Sequence, residues 1–297
     1  MGDRRRESRE ADQISKRKMS DFILTVVVPS YNSEVYIEEC LKSIVREAED
    51  TVEFILVDGA SRDQTMAIVG KYAHLFSHVI SEPDKGQSDA FNKGFKLARG
   101  KYLTWLNSDD VLCPGVVKQT VKKLSVSNKD WLVANSVYLD EAGCVTRCCR
   151  SGGFEHFAVK QGLLNVFGPS TFFSKKLFEE LGDLAENYHF CMDTEYWWRI
   201  VASGRTYERI NTYFWGLRLH SAAKTANVLL VNECPPAMVE ERQKIASKYY
   251  PSVSPQKKCK AVRCARLWRI LNTSYIRSVW DTLRFKGKSV ELLKSYL

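Results

Sequence analysis

Asn107-Ser108-Asp109-Asp110 follows an apolar segment, so two carboxylates stand side by side where a buried strand would end. Side chains on adjacent extended residues diverge, so one can hold a divalent metal while its neighbour accepts hydrogen bonds from hydroxyls. A departing diphosphate needs such a metal, because the charge that develops on it must be neutralised. The same pair also suits an ordinary aspartate-rich turn. Asp58, in Val57-Asp58-Gly59-Ala60-Ser61, can accept from a base N–H or a ribose hydroxyl beside the sharp turn that Gly59 permits, or it can close an Asx turn. Glu82-Pro83-Asp84-Lys85-Gly86-Gln87-Ser88-Asp89 opens a helix whose first amides favour phosphate, with Lys85 as a point charge; a charged surface loop has the same composition, and the segment lacks the Walker pattern. Asp193 stands at a helix start, with Glu195 and Arg199 paired at i,i+4 behind it. It can take a proton from an acceptor hydroxyl, cap the helix, or do both. His220, one of five histidines, serves either as a structural group or as a metal contact.

These residues need a scaffold that carries them to one edge. Phe22 to Val28 and Val52 to Val57 are continuous apolar, β-branched runs of the kind found in strands covered on both faces. Further strands are predicted over Phe76 to Ser81 and Lys101 to Leu106. Between them come a helix striped by Ile37, Leu41, Ile44 and Val45 and capped by Asn32 or Ser33, a short helix after Asp63, and a helix from Ser88 that buries Phe91, Phe95 and Ala98 and stops at Gly100. Alternation of this kind makes a parallel, doubly wound sheet whose ligand crevice lies beyond the strand carboxyl ends. Tyr31, Asn32, Asp58, Glu82, Asp84 and Asn107 to Asp110 all fall there. After Pro114 the rhythm becomes mixed: a helix over Val116 to Leu124, hairpin strands at Trp131 to Leu139 and Cys144 to Arg150, and a helix around Phe154 to Leu164. A short strand at Thr171 to Phe173, helices over Lys175 to Leu181 and Asp193 to Ala202, and a last strand at Tyr213 to Leu219 complete it.

With 297 residues, 44% of them hydrophobic and 27% charged, the chain can bury a full core. No apolar stretch is long enough for a membrane span, and residues 1 to 21 read as a disordered charged leader without the apolar core of a signal peptide. The expected location is therefore cytoplasmic. Nine cysteines in such a chain read as free, mostly buried thiols, and Cys144, Cys148 and Cys149 lack the partners of a zinc site. Gln256 to Leu297 holds eleven Lys or Arg against two acidic residues, a surplus equal to the net +9 of the whole chain. The body is thus balanced, which excludes a nucleic-acid footprint spread over a folded face and marks residues 251 to 297 as a basic helical tail. Trp268, Leu271, Tyr275, Val279 and Leu283 recur there at near-helical spacing. A segment of that kind lies on an anionic membrane or packs on the body with its cations solvated.

Taken in order, Val28-Pro29-Ser30-Tyr31-Asn32, Val57-Asp58-Gly59-Ala60-Ser61, Glu82-Pro83-Asp84-Lys85-Gly86, Asp89-Ala90-Phe91-Asn92, Leu106-Asn107-Ser108-Asp109-Asp110, Asp193-Thr194-Glu195 and Arg218-Leu219-His220 resemble family 2 of the glycosyltransferases over residues 22 to 225. The resemblance implies a GT-A fold over residues 22–250: an α/β, Rossmann-like, mostly parallel sheet in the nucleotide-binding half (22–113) and a mixed acceptor half (114–250). It implies an inverting transfer from a nucleoside-diphosphate sugar, UDP-linked by preference, to a glycan or lipid-linked acceptor, as in cell-surface glycan synthesis. It makes Asp110 and His220 ligands of Mn2+ or Mg2+, places Asp109 near the ribose, and makes Asp193 the base. Pro29, Tyr31, Asn32, Asp58, Asp84, Lys85, Asp89 and Asn92 become the nucleotide-sugar pocket. It also leaves phosphate contacts from Ser221 to Thr225 open, because the family's stretch there is richer in hydroxyls. The rival reading is a sugar- or nucleotide-binding regulatory protein that keeps the fold without activity.

Overall fold

The apolar run after Phe22 forms β1 (Leu24–Ser30), buried throughout and central in the sheet, as a strand covered on both faces must be. A computed structural model describes residues 22–164, 166, 168–224, 233–251, 254–271 and 273–296; the charged leader, 1–21, lies outside the described residues. β1 pairs in parallel with β2 (Val52–Asp58) and β4 (Tyr102–Trp105), and β2 with β3 (His78–Ser81). Between the strands run α1 (Ile37–Glu47), α2 (Thr65–Gly70) and α3 (Gln87–Leu97). The strand period of two divides the core. Leu24, Val26 and Val28 face α1, with Ile37, Leu41 and Ile44, whereas Val27 faces α3, with Phe91 and Phe95.

Beyond Asp110 the sheet continues through β5 (Val111–Leu112), β6 (Trp131–Leu139), β7 (Val145–Cys149), β8 (Thr171–Ser174) and β9 (Glu208–Arg218). The order is β3-β2-β1-β4-β8-β6-β9-β5, with β7 on β6. β8 runs antiparallel to β4 and β6, β7 antiparallel to β6 and β5 antiparallel to β9, while β6 and β9 are parallel, so the second half is mixed. Helices α4 (Val116–Val126), α5 (His156–Val159), α6 (Lys175–Leu181), α7 (Met192–Ala202), α8 (Pro236–Tyr249), α9 (Pro255–Leu271) and α10 (Ser274–Phe285) complete the described elements.

Several boundaries differ from expectation for local reasons. Val45 of α1 is exposed, so its apolar stripe ends at Ile44. α3 begins after Gly86 rather than under a Ser88 cap, because Gly86 adopts φ 116°. The helix expected over Phe154 to Leu164 shrinks to α5. All nine cysteines are free thiols.

Helix α3 lies close against β1, and Gly94 is the reason. A Cβ at Gly94 would stand 2.4 Å from Cγ1 of Val27, a fully buried strand residue. Gly94→Ala is therefore expected to lower stability by about 1–3 kcal/mol through overpacking. Urea unfolding would show it as a lower midpoint at unchanged slope, and an unchanged midpoint would mean that α3 can slide without cost.

Candidate active site

The carboxyl ends of β1 and β2 carry two loops that hold each other. Asn32, at φ 47°, donates its N–H to Ser61 Oγ (2.8 Å) and accepts from Arg62 N at Oδ1 (2.9 Å). Asp58 is fully buried; Oδ1 accepts from Ser30 Oγ and Ser61 Oγ, and Oδ2 from Ser61 N and Ser81 Oγ. Four donors on one carboxylate make it the anchor of the Asx turn. The surface above it is formed by Tyr31, Gly59 and Asp84. A Cβ on Gly59 would lie 2.7 Å from Asp84 Oδ2 and 3.3 Å from the Tyr31 ring, so the glycine lets the backbone close in between them. Asp84 Oδ1 accepts from Gly86 N (2.8 Å), and Tyr31 is exposed, its ring open to a stacking partner.

At the end of β4, the loop Asn107 to Asp110 separates the two adjacent carboxylates by environment. Asp110 is fully buried: Oδ2 accepts from Asn107 Nδ2 and Trp215 Nε1, both at 2.8 Å, and Oδ1 from Arg218 N at 2.8 Å. Burial, and next the neighbouring Asp109 charge, push its carboxyl well above the usual carboxylate range, against those three donors. Asp109 is partly exposed, and its Oδ2 lies 3.1 Å from His220 Nε2. Arg218, itself buried, holds the loop: Nε donates to Asp109 O, Nη1 to Glu141 O, and Nη2 pairs with Glu39, while its guanidinium lies over the Tyr36 ring. Two cis ligands of an octahedral cation, each at about 2.1 Å, lie about 3 Å apart. The Asp109 to His220 spacing fits that edge, with the remaining positions open to phosphate oxygens and water. Among the described residues no group of three or more His, Cys, Asp or Glu stands together. A two-ligand protein site completed by substrate is how Mg2+ is commonly held beside phosphates.

Asp193 reaches the same place from α7. Its Oδ1 accepts from Thr194 N and Oγ1, while its Oδ2 lies 3.6 Å from where a Cβ on Gly168 would stand. That point is also 3.9 Å from the Trp215 ring, whose Nε1 holds Asp110. The Trp215 indole, which holds Asp110, and Asp193 Oδ2 thus border the same small space beside Gly168. Burial raises the Asp193 carboxyl above its ordinary value, the Thr194 donors and the Lys224 charge opposing it. Lys224 donates from Nζ to His189 O (2.9 Å) and Gln87 Oε1 (3.3 Å), and Gln87 Nε2 donates to Asn107 Oδ1 (2.9 Å). A chain of contacts thus runs from Asp110 through Asn107 and Gln87 to Lys224. Beside Thr194 opens a cavity of about 540 Å³ lined by Trp197, Trp198, Leu164, Val166, Arg242 and Gln243.

The family model for glycosyl transferase family 2 matches residues 25–182, more than half of the chain. The chain belongs to glycosyltransferase family 2. An uncharacterised glycosyltransferase of Rickettsia prowazekii is 24% identical over 225 residues, covering 72% of this chain and 69% of its own length. The glycosyltransferase GlyG of Streptococcus pneumoniae is 28% identical over 123 residues, which is 40% of this chain and 41% of GlyG. Among solved structures, TarS of S. aureus has a TM-score of 0.55 at 20% identity, covering 66% of this chain and 60% of that one; it has also been solved with UDP and with UDP-GlcNAc. A mannosyltransferase of Pyrobaculum calidifontis, solved with GDP-Man and Mn2+, has a TM-score of 0.51 at 16% identity and covers 92% of this chain and 84% of that one. At these identities the structural likeness is one of fold, the GT-A fold.

Within this glycosyltransferase the expected site residues do not all face the crevice. Asn92 is buried, and both ends of its amide are taken by Leu184, Nδ2 donating to O and Oδ1 accepting from N, so it ties α3 to the 182–184 loop and forms no pocket wall. Asp89 accepts from Lys85 N and pairs with Lys93, closing the turn into α3. Lys85 extends to Glu186 on the surface. Pro29 is buried within β1, and its missing N–H is no loss because pairing with β4 has ended at Val27. Asp110, expected as the metal ligand, is fully buried and accepts from three protein donors, whereas Asp109 is the partly exposed member of the pair and lies beside His220. Ala60, where the family commonly has Gly, adopts φ 61°, the left-handed region that glycine suits. Trp215 was not singled out from sequence, and Arg218 and Gln87 stood within motifs without a role of their own. Only the position of Lys224, four residues after His220, hinted at a role.

Proposed function

We propose that this chain transfers a sugar from a nucleoside-diphosphate sugar to a hydroxyl acceptor with inversion at C1, residues 22–250 forming the catalytic domain. The observation that supports the reading is that Asp193 and the Trp215 indole, which holds Asp110 next to the Asp109 to His220 pair, border one space beside Gly168. Tyr31, Gly59 and Asp84 form the surface on which a base and ribose would rest, with Asp58 holding that surface in shape from below. UDP is the first choice of nucleotide, supported by the UDP-bound and UDP-GlcNAc-bound forms of the structurally similar TarS. Mn2+ or Mg2+ held by Asp109 and His220 would neutralise charge on the diphosphate. Lys224, whose charge acts on Asp193 and which is linked through Gln87 to Asn107, would add a second cation for the diphosphate.

The reaction is one displacement. Asp193 Oδ2 takes the proton of the acceptor hydroxyl, the acceptor oxygen forms its bond to C1, and the bond from C1 to the diphosphate oxygen breaks with its electron pair leaving on the diphosphate. Burial raises the proton affinity of Asp193 above that of an exposed carboxylate, which suits a proton acceptor. The cavity beside Thr194 is the place for an acceptor, whose glycan or lipid-linked nature sets its apolar and polar lining to use. A screen of nucleotide sugars for nucleoside diphosphate released in the presence of Mn2+ or Mg2+ tests the reading. Release from one donor, abolished by chelation, is the expected result. Tight binding of a nucleotide sugar with no release from any donor and acceptor mixture would favour the inactive, ligand-binding alternative.

A further inference from the structure

Helix α10 is mounted the wrong way round for a globular protein. At 100° per residue, Ser274, Ser278, Asp281, Thr282 and Phe285 fall on one side, and this mostly polar side is docked on the body. Among the described strands β7 pairs with β6 alone; its outer edge bonds to Gly287 and Lys288 at Val145 and is met by α10 beyond it. Ser278 Oγ accepts from Arg150 N and Thr282 Oγ1 from Cys148 N, both at 2.9 Å. Asp281 Oδ2 accepts from Arg150 Nε (2.7 Å) and Tyr213 OH (2.5 Å). Phe285 enters the core with Val290 and Leu293. With its polar face spent on the sheet edge, α10 turns Ile276, Val279, Trp280 and Leu283 outward at i, i+3, i+4, i+7, between 43% and 74% exposed. The neighbouring α9 adds exposed Leu267, Trp268 and Leu271.

An apolar stripe of this size left in water is unfavourable unless something covers it. Its flanks say what. Arg277 and Arg284 lie beside the α10 stripe, and exposed Lys260, Arg263 and Arg266 lie on α9, while Asp281, the one acid of the two helices, is turned inward to Arg150. A second copy would bring two cationic rims together. An anionic bilayer instead takes the apolar stripe below its headgroups and the cations at its surface, with tryptophan at the boundary. No helix among the described residues is long and apolar enough to cross a membrane, so the contact is one of lying upon it.

We propose that the α9 to α10 pair docks this chain on an anionic lipid surface through Ile276, Val279, Trp280 and Leu283, with Leu267, Trp268 and Leu271 beside them. Docking through this face is independent of the catalytic reading. Sedimentation of the full chain with phosphatidylcholine vesicles, with and without phosphatidylserine, tests it. The expected result is binding that needs phosphatidylserine and weakens with salt. Trp280→Ser with Leu283→Ser should weaken binding by about tenfold or more, and Arg263→Gln with Arg277→Gln by about fivefold per cation removed. All four positions are exposed, so thermal unfolding and donor turnover should stay as in the parent. Absence of binding to anionic vesicles, equal binding by the Trp280→Ser, Leu283→Ser variant, or a dimer that this variant dissociates while vesicle binding persists, would each overturn the proposal.

Discussion

Asp193→Asn is expected to lower the turnover of sugar transfer by about 10²- to 10⁴-fold while leaving affinity for the nucleotide sugar nearly unchanged. The amide keeps an oxygen for Thr194 N, so the helix start and the crevice shape survive, and only the capacity to accept a proton is lost. Isothermal titration with donor separates the two quantities. A variant as active as the parent would remove Asp193 from the mechanism and leave the acceptor proton to another group. The pH profile gives a second reading. Because burial raises the Asp193 carboxyl in the folded chain, activity should fall on the acid side at a higher pH than an exposed carboxylate would give, and that limb should vanish in Asp193→Asn.

The same shift has a consequence for stability of defined sign. A carboxyl whose folded pKa lies above its unfolded one binds more protons when folded, so stability falls as pH rises from the unfolded value through the folded one. Above the folded pKa the ionised Asp193 therefore opposes folding, and there Asp193→Asn should unfold at a higher temperature than the parent. Below the unfolded pKa the gain should disappear. A residue kept at some cost in stability, and lost together with activity, is what a proton acceptor at a dry crevice predicts.

Separate alanine substitutions at Asp109 and Asp110 should give opposite phenotypes. Asp110→Ala strands two buried donors, Trp215 Nε1 and Arg218 N, each at about 1–3 kcal/mol, and the part-buried Asn107 Nδ2, so the loss of stability should reach about 3 kcal/mol or more. Asp109→Ala removes a partly exposed side chain whose partner is His220, and should change stability by less than about 1 kcal/mol. It should instead raise the Mn2+ or Mg2+ concentration needed for half-maximal turnover by about tenfold or more, as loss of one of two protein ligands requires. Urea unfolding beside a metal titration of activity reads both. A folded Asp110→Ala with the larger metal requirement would return the ligand role to Asp110.

The elements around the crevice were legible because their signals are local. β1 and β2 announce themselves as apolar, β-branched runs, Lys175 to Leu181 ends at Gly182 as expected, and the ordered motifs from Pro29 to Asp110 lie within the span that marks the family across more than half of the chain. Which carboxylate of the adjacent pair faces outward was not legible. Asp109 and Asp110 share one loop, and the difference between them is made by Trp215 and Arg218, more than a hundred residues away, which bury one and leave the other beside His220. Asn92 and Asp58 likewise looked available in the sequence, and are occupied by Leu184 and by three serines.

The tail shows the same division. Its near-helical apolar spacing and its cations are properties of the sequence alone, and they establish two amphipathic helices' worth of material. They do not say which face turns inward. That was decided at the edge of β7, where Cys148 N and, just beyond the strand, Arg150 N donate to the hydroxyls of Thr282 and Ser278 and so leave the apolar face outside. Periodicity fixes which residues share a face, because it depends only on chain geometry; the direction of that face depends on the unmet hydrogen bonds of a strand elsewhere in the fold, and only the assembled sheet supplies those.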